Sequence, residues 1–168
     1  MTDEMLSPLE QVIGFLSVFV KMAATRETKL PRGYHCIEDF VLQHGVSMGS
    51  FTRLPEDIGS GKPKSCFMNA YRLVQHDLIY CEGYAFKRGL VPIYHGWCVD
   101  DSGNVIDNTW EYGDVYFGVA VKQDFLYDAI QKQHTYGLLD QPHRWPLMVA
   151  EVESWRHPIM DVLKPVTS

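Results

Sequence analysis

The sequence predicts an α+β fold, in which a helix packs on an antiparallel sheet with more helix around it, and three observations predict it. Apolar residues recur at helical spacing over Pro8–Ala24 and again after Ser65. Strand-like runs then follow one another from Leu78 to Val121, two of them joined by a tight turn. A further amphipathic helical pattern covers Gln123 to Gln133. The 168 residues fall within the usual size of one domain, so the chain reads as a single domain, 1–168, with its chemical core at about 59–121.

The first helix runs from about Pro8 to Ala24. Ser7 is its cap, Pro8 suits its first position and Glu10 its first turn. Leu9, Val12, Ile13, Leu16, Phe19, Val20 and Ala23 give it apolar residues on most sides, which predicts a well-buried helix. Residues 25–62 are punctuated by Pro31, Gly33, Gly45, Gly49, Pro55, Gly59 and Gly61, with a short helix from Cys36 to His44. Gly61-Lys62 lacks the surrounding pattern of a phosphate loop, because Pro63 stands where Ser or Thr is needed.

A second helix is expected over Cys66–Ile79, with Phe67, Ala70, Tyr71, Val74 and Leu78 as its apolar stripe. Pro63 keeps it from starting earlier and Ser65 suits its cap. Strands are expected at Leu78–Ala85, Val91–Val99, Asn104–Trp110 and Val115–Val121. Gly83 marks a bulge or a close approach of backbone. The proline- and tryptophan-rich remainder after Gln133 gives no clear pattern.

Composition narrows the function. Fifteen basic and twenty-one acidic residues give a net charge of −6, spread over both halves, so no basic patch points to nucleic acid or anionic lipid. The start, Thr2-Asp3-Glu4, is acidic where a secretory leader is basic. The apolar run Val12–Val20 stops at Lys21, far short of the ~20 residues of a membrane span. Cys36, Cys66, Cys81 and Cys98 form no paired motif. These features predict a cytoplasmic protein with free thiols, no membrane partner and no cofactor.

One of those thiols has a distinctive setting. Cys66 opens a helix, where unpaired N–H groups and the macrodipole favour an anion, and Lys62 and Lys64 lie just upstream. His95 lies mid-strand, on one face with Ile93 and Trp97. A three-residue loop, Asp101-Ser102-Gly103, pairs Asp100 with Asn104, and Gly103 supplies its left-handed position. In that register Thr109 faces His95, and Asp107 lies opposite Trp97, one diagonal step from His95 at about 7 Å. A four-residue loop would put Asn108 opposite His95 instead. Cysteine, histidine and carboxylate so arranged are the parts of an activated nucleophile.

Cys66 at a helix start, His95-Gly96-Trp97 on one strand and Asp107-Asn108-Thr109-Trp110 on the next resemble the core of the transglutaminase-like branch of the papain-like cysteine enzymes. The resemblance covers residues 62–120, and Gly83-Tyr84 fits it too. It implies Cys66 as nucleophile, His95 as base and Asp107 as orienter. It further implies a hydrolase or acyl transferase working on an amide or peptide bond through a thioester: a protease, amidase, deamidase or crosslinking enzyme with a protein, peptide or small amide substrate. Two positions depart from the pattern. Asn108 stands where proline is frequent, and Ser60 stands where papain has its oxyanion glutamine. The backbone N–H of Cys66 is then one oxyanion donor. Asn69, Tyr84, Trp97 and Asn108 are the side chains to consider as substrate or oxyanion contacts.

Two other readings compete. His35, Cys36, His76 and Cys81 are metal-ligand types, but at no standard zinc spacing. The same fold with an inert site would serve as a protein-binding or regulatory module, with Trp97, Trp110, Tyr112, Tyr116, Trp145 and Trp155 lining a groove. An inert domain has no need of all three of Cys66, His95 and Asp107.

Overall fold

The computed structural model describes residues 5–140 and 145–163; Thr2, Asp3 and Glu4 lie outside them. Its first helix, α1 (Pro8–Ala24), is opened by Ser7 through a reciprocal pair. The Ser7 hydroxyl accepts from the Glu10 N–H at 3.2 Å, and the Glu10 carboxylate accepts from the Ser7 N–H at 2.7 Å. Contrary to the expectation of a well-buried helix, only one stripe is covered. Val12, Leu16 and Ala23 are buried, whereas Val18, Phe19 and Met22 face outward. The physical reason is that α1 rests mainly on one neighbour, α2 (Ile37–His44), and touches the sheet only lightly.

The remaining elements are β1 (Val46–Ser47), α3 (Cys66–Leu73), β2 (Ile79–Phe86), β3 (Ile93–Val99), β4 (Val105–Ile106), β5 (Val115–Ala120), α4 (Gln123–Gln133) and the short helices α5 (Pro146–Val149), α6 (Val152–Trp155) and α7 (Ile159–Leu163). The strands form one antiparallel sheet in the spatial order β1-β5-β2-β3-β4. The chain after β1 then reaches the opposite edge. Phe51 pairs with Val105, and the Thr52 hydroxyl donates to the Val105 carbonyl at 2.6 Å. The two sheet edges are thereby brought together.

Two predicted elements are shorter than their patterns. The helix that begins at Cys66 ends at Leu73, tightens into a 3₁₀ turn at Val74–His76 and stops at Asp77, which is left-handed (φ 59°). Aspartate tolerates that conformation better than most residues. The strand expected over Asn104–Trp110 survives only as Val105–Ile106. Asp107 ends it: its Oδ1 accepts the N–H of Thr109 (2.9 Å) and of Trp110 (3.1 Å), so the chain turns instead of continuing the ladder.

The hairpin register agrees with the three-residue loop. Asp100 and Gly103 close the turn, Gly103 is left-handed (φ 83°), and β3 pairs with β4 through Cys98–Ile106 and Val99–Val105. Gly83 is a close approach rather than a bulge. The β2–β5 register is continuous through Gly83–Gly118, and a Cβ on Gly83 would meet the Phe117 carbonyl and the Gly118 Cα.

The β3 residues alternate between two surroundings. Gly96 and Cys98 face α3: a Cβ at Gly96 would strike Phe67, and the Cys98 thiol donates to the Ala70 carbonyl at 3.3 Å. His95 and Trp97 face the other way, with the Tyr116 ring of β5. Among the described residues no helix is long and apolar enough to cross a membrane.

Candidate active site

Cys66 is half-buried at the first position of α3. Lys64 is left-handed (φ 59°) and Ser65 is non-helical, so the chain turns sharply into the helix. Ser65 occupies the cap position, but its side chain does not cap; the hydroxyl turns back to the Pro63 carbonyl at 3.4 Å. Asn69, one turn into the helix, does the holding. Its Oδ1 accepts from the Lys62 N–H at 3.2 Å, and its Nδ2 donates to the Lys62 carbonyl (2.8 Å) and the Thr109 hydroxyl (2.7 Å). The approach segment is thus tied both to the helix it precedes and to the turn that follows Asp107.

His95 is 3% exposed and Asp107 1% exposed. His95 Nε2 bonds to Asp107 Oδ2 at 2.7 Å. The Cys66 side chain is close enough to the imidazole to favour its charged form. With Nε2 committed to the carboxylate, Nδ1 is the nitrogen left for sulfur. Asp107 Oδ2 is also approached by the Tyr116 hydroxyl at 2.8 Å. Counting both oxygens, the buried carboxylate lies within hydrogen-bond distance of four groups, which leaves it little freedom to rotate.

The electrostatics of the histidine follow. Burial opposes its charge. The bonds to Asp107 and Cys66, with the attraction of both groups, outweigh burial and lift the His95 pKa from 6.5 to about 9. The site thus favours the protonated imidazole. Elsewhere, burial pushes the thiols of Cys81 and Cys98 well up and that of Cys36 up to about 11. All four cysteines are free.

No family model, curated protein or solved structure matches this chain.

Of the residues singled out in the sequence, Cys66, His95 and Asp107 come together, and the other four have different positions. Asn69 is not available as an oxyanion donor, because both its amide hydrogens are engaged by Lys62 and Thr109. Asn108 donates to the Gly59 carbonyl at 3.1 Å. The Tyr84 hydroxyl donates to Glu38 at 2.9 Å. Trp97 stacks beside His95, its ring inclined by 13° at 6.3 Å, and its buried indole N–H has no hydrogen-bond partner among the described residues. As for the expected aromatic groove, Trp97, Tyr116 and Trp155 are core residues, Trp110 and Trp145 are half-buried, and Tyr112 is exposed. Among the described residues no three His, Cys, Asp or Glu side chains gather as a metal site.

Sequence reasoning missed two participants. Tyr116 reaches Asp107 only through the β2–β5 register, across a strand that has no short loop to fix its pairing with the histidine strand. The three-residue loop predicts Thr109 opposite His95, but the turn at Asp107 brings its hydroxyl to Asn69. The one local signal for this was Asp107 itself, a residue type that bonds the backbone two and three positions on.

Proposed function

We propose that this protein is a cysteine-dependent hydrolase or acyl transferase that acts on an amide or peptide bond through a thioester, with a transglutaminase-like, papain-like core. The observation that carries the reading is the buried His95, bonded through Nε2 to Asp107 and close enough to Cys66 for that side chain to favour its charged form.

The chemistry follows from those contacts. Cys66 Sγ attacks the carbonyl carbon, and the proton it shared with the imidazole stays on His95. The C–S bond forms as the carbonyl π pair moves onto oxygen. The Cys66 N–H belongs to the first turn and needs no partner within the helix, so it is a donor for the developing negative charge. Collapse expels the amine, which takes the His95 proton as it leaves. Water or a second amine then attacks the thioester, His95 takes its proton, and the thiolate departs. Asp107 fixes the imidazole tautomer throughout. A water acceptor gives a protease, amidase or deamidase; an amine acceptor gives a crosslinker.

The test is alkylation with limiting iodoacetamide from pH 5 to 9, with the modified cysteine located by mass spectrometry. Cys66 is expected to label ahead of the other three below pH 7, and His95→Ala to abolish that lead. An activated-amide or ester substrate should then leave an acyl adduct on Cys66 in rapidly quenched samples. Equal labelling of Cys66 with and without His95 would overturn the reading and favour an inert, protein-binding domain.

A further inference from the structure

The Tyr116 hydroxyl has one hydrogen and two acceptors. Its oxygen lies 2.8 Å from Asp107 Oδ2 and 2.9 Å from the Trp110 carbonyl. The phenol cannot serve as an acid or base here, because burial and then the adjacent Asp107 charge push its pKa well above 10. It is a fixed donor. Its ring is held by Trp97, edge to face at 5.2 Å, and sits 6.3 Å from the His95 ring. Gly113 leaves the room it needs: a Cβ at 113 would collide with the phenol carbon and oxygen.

His95 and Tyr116 use the same carboxylate oxygen. A carboxylate lone pair drawn toward one donor is less available to the other. We propose that Tyr116 is a positioning residue of this site, which sets how strongly Asp107 holds His95 by directing its single hydrogen either to Asp107 Oδ2 or to the Trp110 carbonyl. With the hydrogen on Oδ2, the Asp107 charge is shared and the imidazolium is held less tightly. With the hydrogen on the Trp110 carbonyl, His95 has the oxygen to itself. Among the described residues, the titratable groups that act on this trio are Cys66 on α3, Cys98 on the other face of β3 and Tyr112 in the loop before β5. The inference rests on the acyl-transfer reading for its relevance to catalysis, but its geometry and its test do not require a substrate.

The experiment is an NMR titration of the His95 imidazole nitrogens in the full chain, comparing wild type with Tyr116→Phe and with 3,5-difluorotyrosine incorporated at 116. The phenylalanine variant removes the competing donor, so the His95 midpoint should rise by at least about half a pH unit. Difluorotyrosine is a stronger donor and keeps the ring, so it should move the midpoint down. A residue that merely filled space would leave both midpoints in place. Midpoints that stay fixed, or that move in the same direction in both variants, overturn the proposal. If Tyr116→Phe fails to fold, the fluorinated protein decides alone. A wild type with this coupling but no acyl adduct on Cys66 would sink the enzymatic reading and leave the coupling standing. An adduct without the coupling would do the reverse.

Discussion

Asn69 Nδ2 lies 2.7 Å from Thr109 Oγ1, although forty residues of chain separate them. One belongs to the helix that starts with Cys66, the other to the turn folded by Asp107. That hydrogen bond joins the two pieces of backbone whose spacing decides whether sulfur, imidazole and carboxylate stay in line. Asn69 is buried and makes three hydrogen bonds, so a substitution strands the groups it serves.

Gly61→Ala tests this joint without removing a polar group. A Cβ at 61 would press directly on the Asn69 amide. The expected result is a loss of about 1–3 kcal/mol in urea unfolding, together with slower Cys66 alkylation at pH 6. Unchanged alkylation in a destabilised protein would mean that the joint supports the fold but not the site.

Asp107→Asn separates the two uses of this carboxylate. An asparagine Oδ1 still accepts from Thr109 and Trp110, so the turn and the far-UV spectrum should persist. The amide nitrogen cannot accept from His95 or Tyr116. The His95 midpoint should fall well below about 9, and turnover of an amide substrate should drop by roughly 10³–10⁴-fold. A midpoint that holds would show that Cys66 and not Asp107 keeps the histidine charged.

Stability should decline from mildly acid to alkaline pH, in two stages. Glu82 is wholly buried on β2, and this burial lifts its pKa from 4.5 to about 7, even though the Tyr94 hydroxyl and the N–H groups of Leu138 and Leu139 bond to it. The fold favours its neutral form, so that contribution is complete below about 4.5 and is lost as pH rises through about 7. His95 is a base with a raised pKa, and its contribution is complete below 6.5 and lost through about 9. Thermal unfolding midpoints at pH 5, 7 and 9 should therefore fall in order. In Glu82→Gln the step from 5 to 7 should flatten while the step from 7 to 9 remains. An unaltered lower step would remove Glu82 from the account.

Gly83→Ala should be among the most damaging single changes in the chain. The added methyl meets backbone of β5 at Phe117 and Gly118, where no side chain can swing aside. The expected cost is about 3 kcal/mol or more, read as loss of soluble folded protein or of the cooperative unfolding transition. A well-folded Gly83→Ala would mean that the two strands separate easily at this point.

What the sequence revealed of this architecture was local. The capping pair at Ser7 and Glu10, the loop ended by Gly103 and the amphipathic span Gln123–Gln133 are set by residues within a few positions of one another. The same locality brought His95 and Asp107 into the right relation, since one tight turn fixes their register. Contacts through space were hidden. Nothing near Tyr116 in sequence indicates Asp107, and nothing near Asn69 indicates Thr109. The truncated strand after Ile106 was hidden for another reason: Thr109 and Trp110 have good strand propensity, which two side-chain-to-backbone bonds from Asp107 override.

The double duty of Asp107 has a consequence for descent. One oxygen builds a turn and the other serves the histidine, so selection for a folded chain retains aspartate or asparagine at 107 whether or not any reaction is selected. A lineage without that chemistry would shed the half-buried Cys66 at little structural penalty and keep a turn-forming Asp or Asn at 107. Among descendants of this chain, a turn-forming residue at 107 says nothing about chemistry, and loss of the sulfur at 66 is the mark to read.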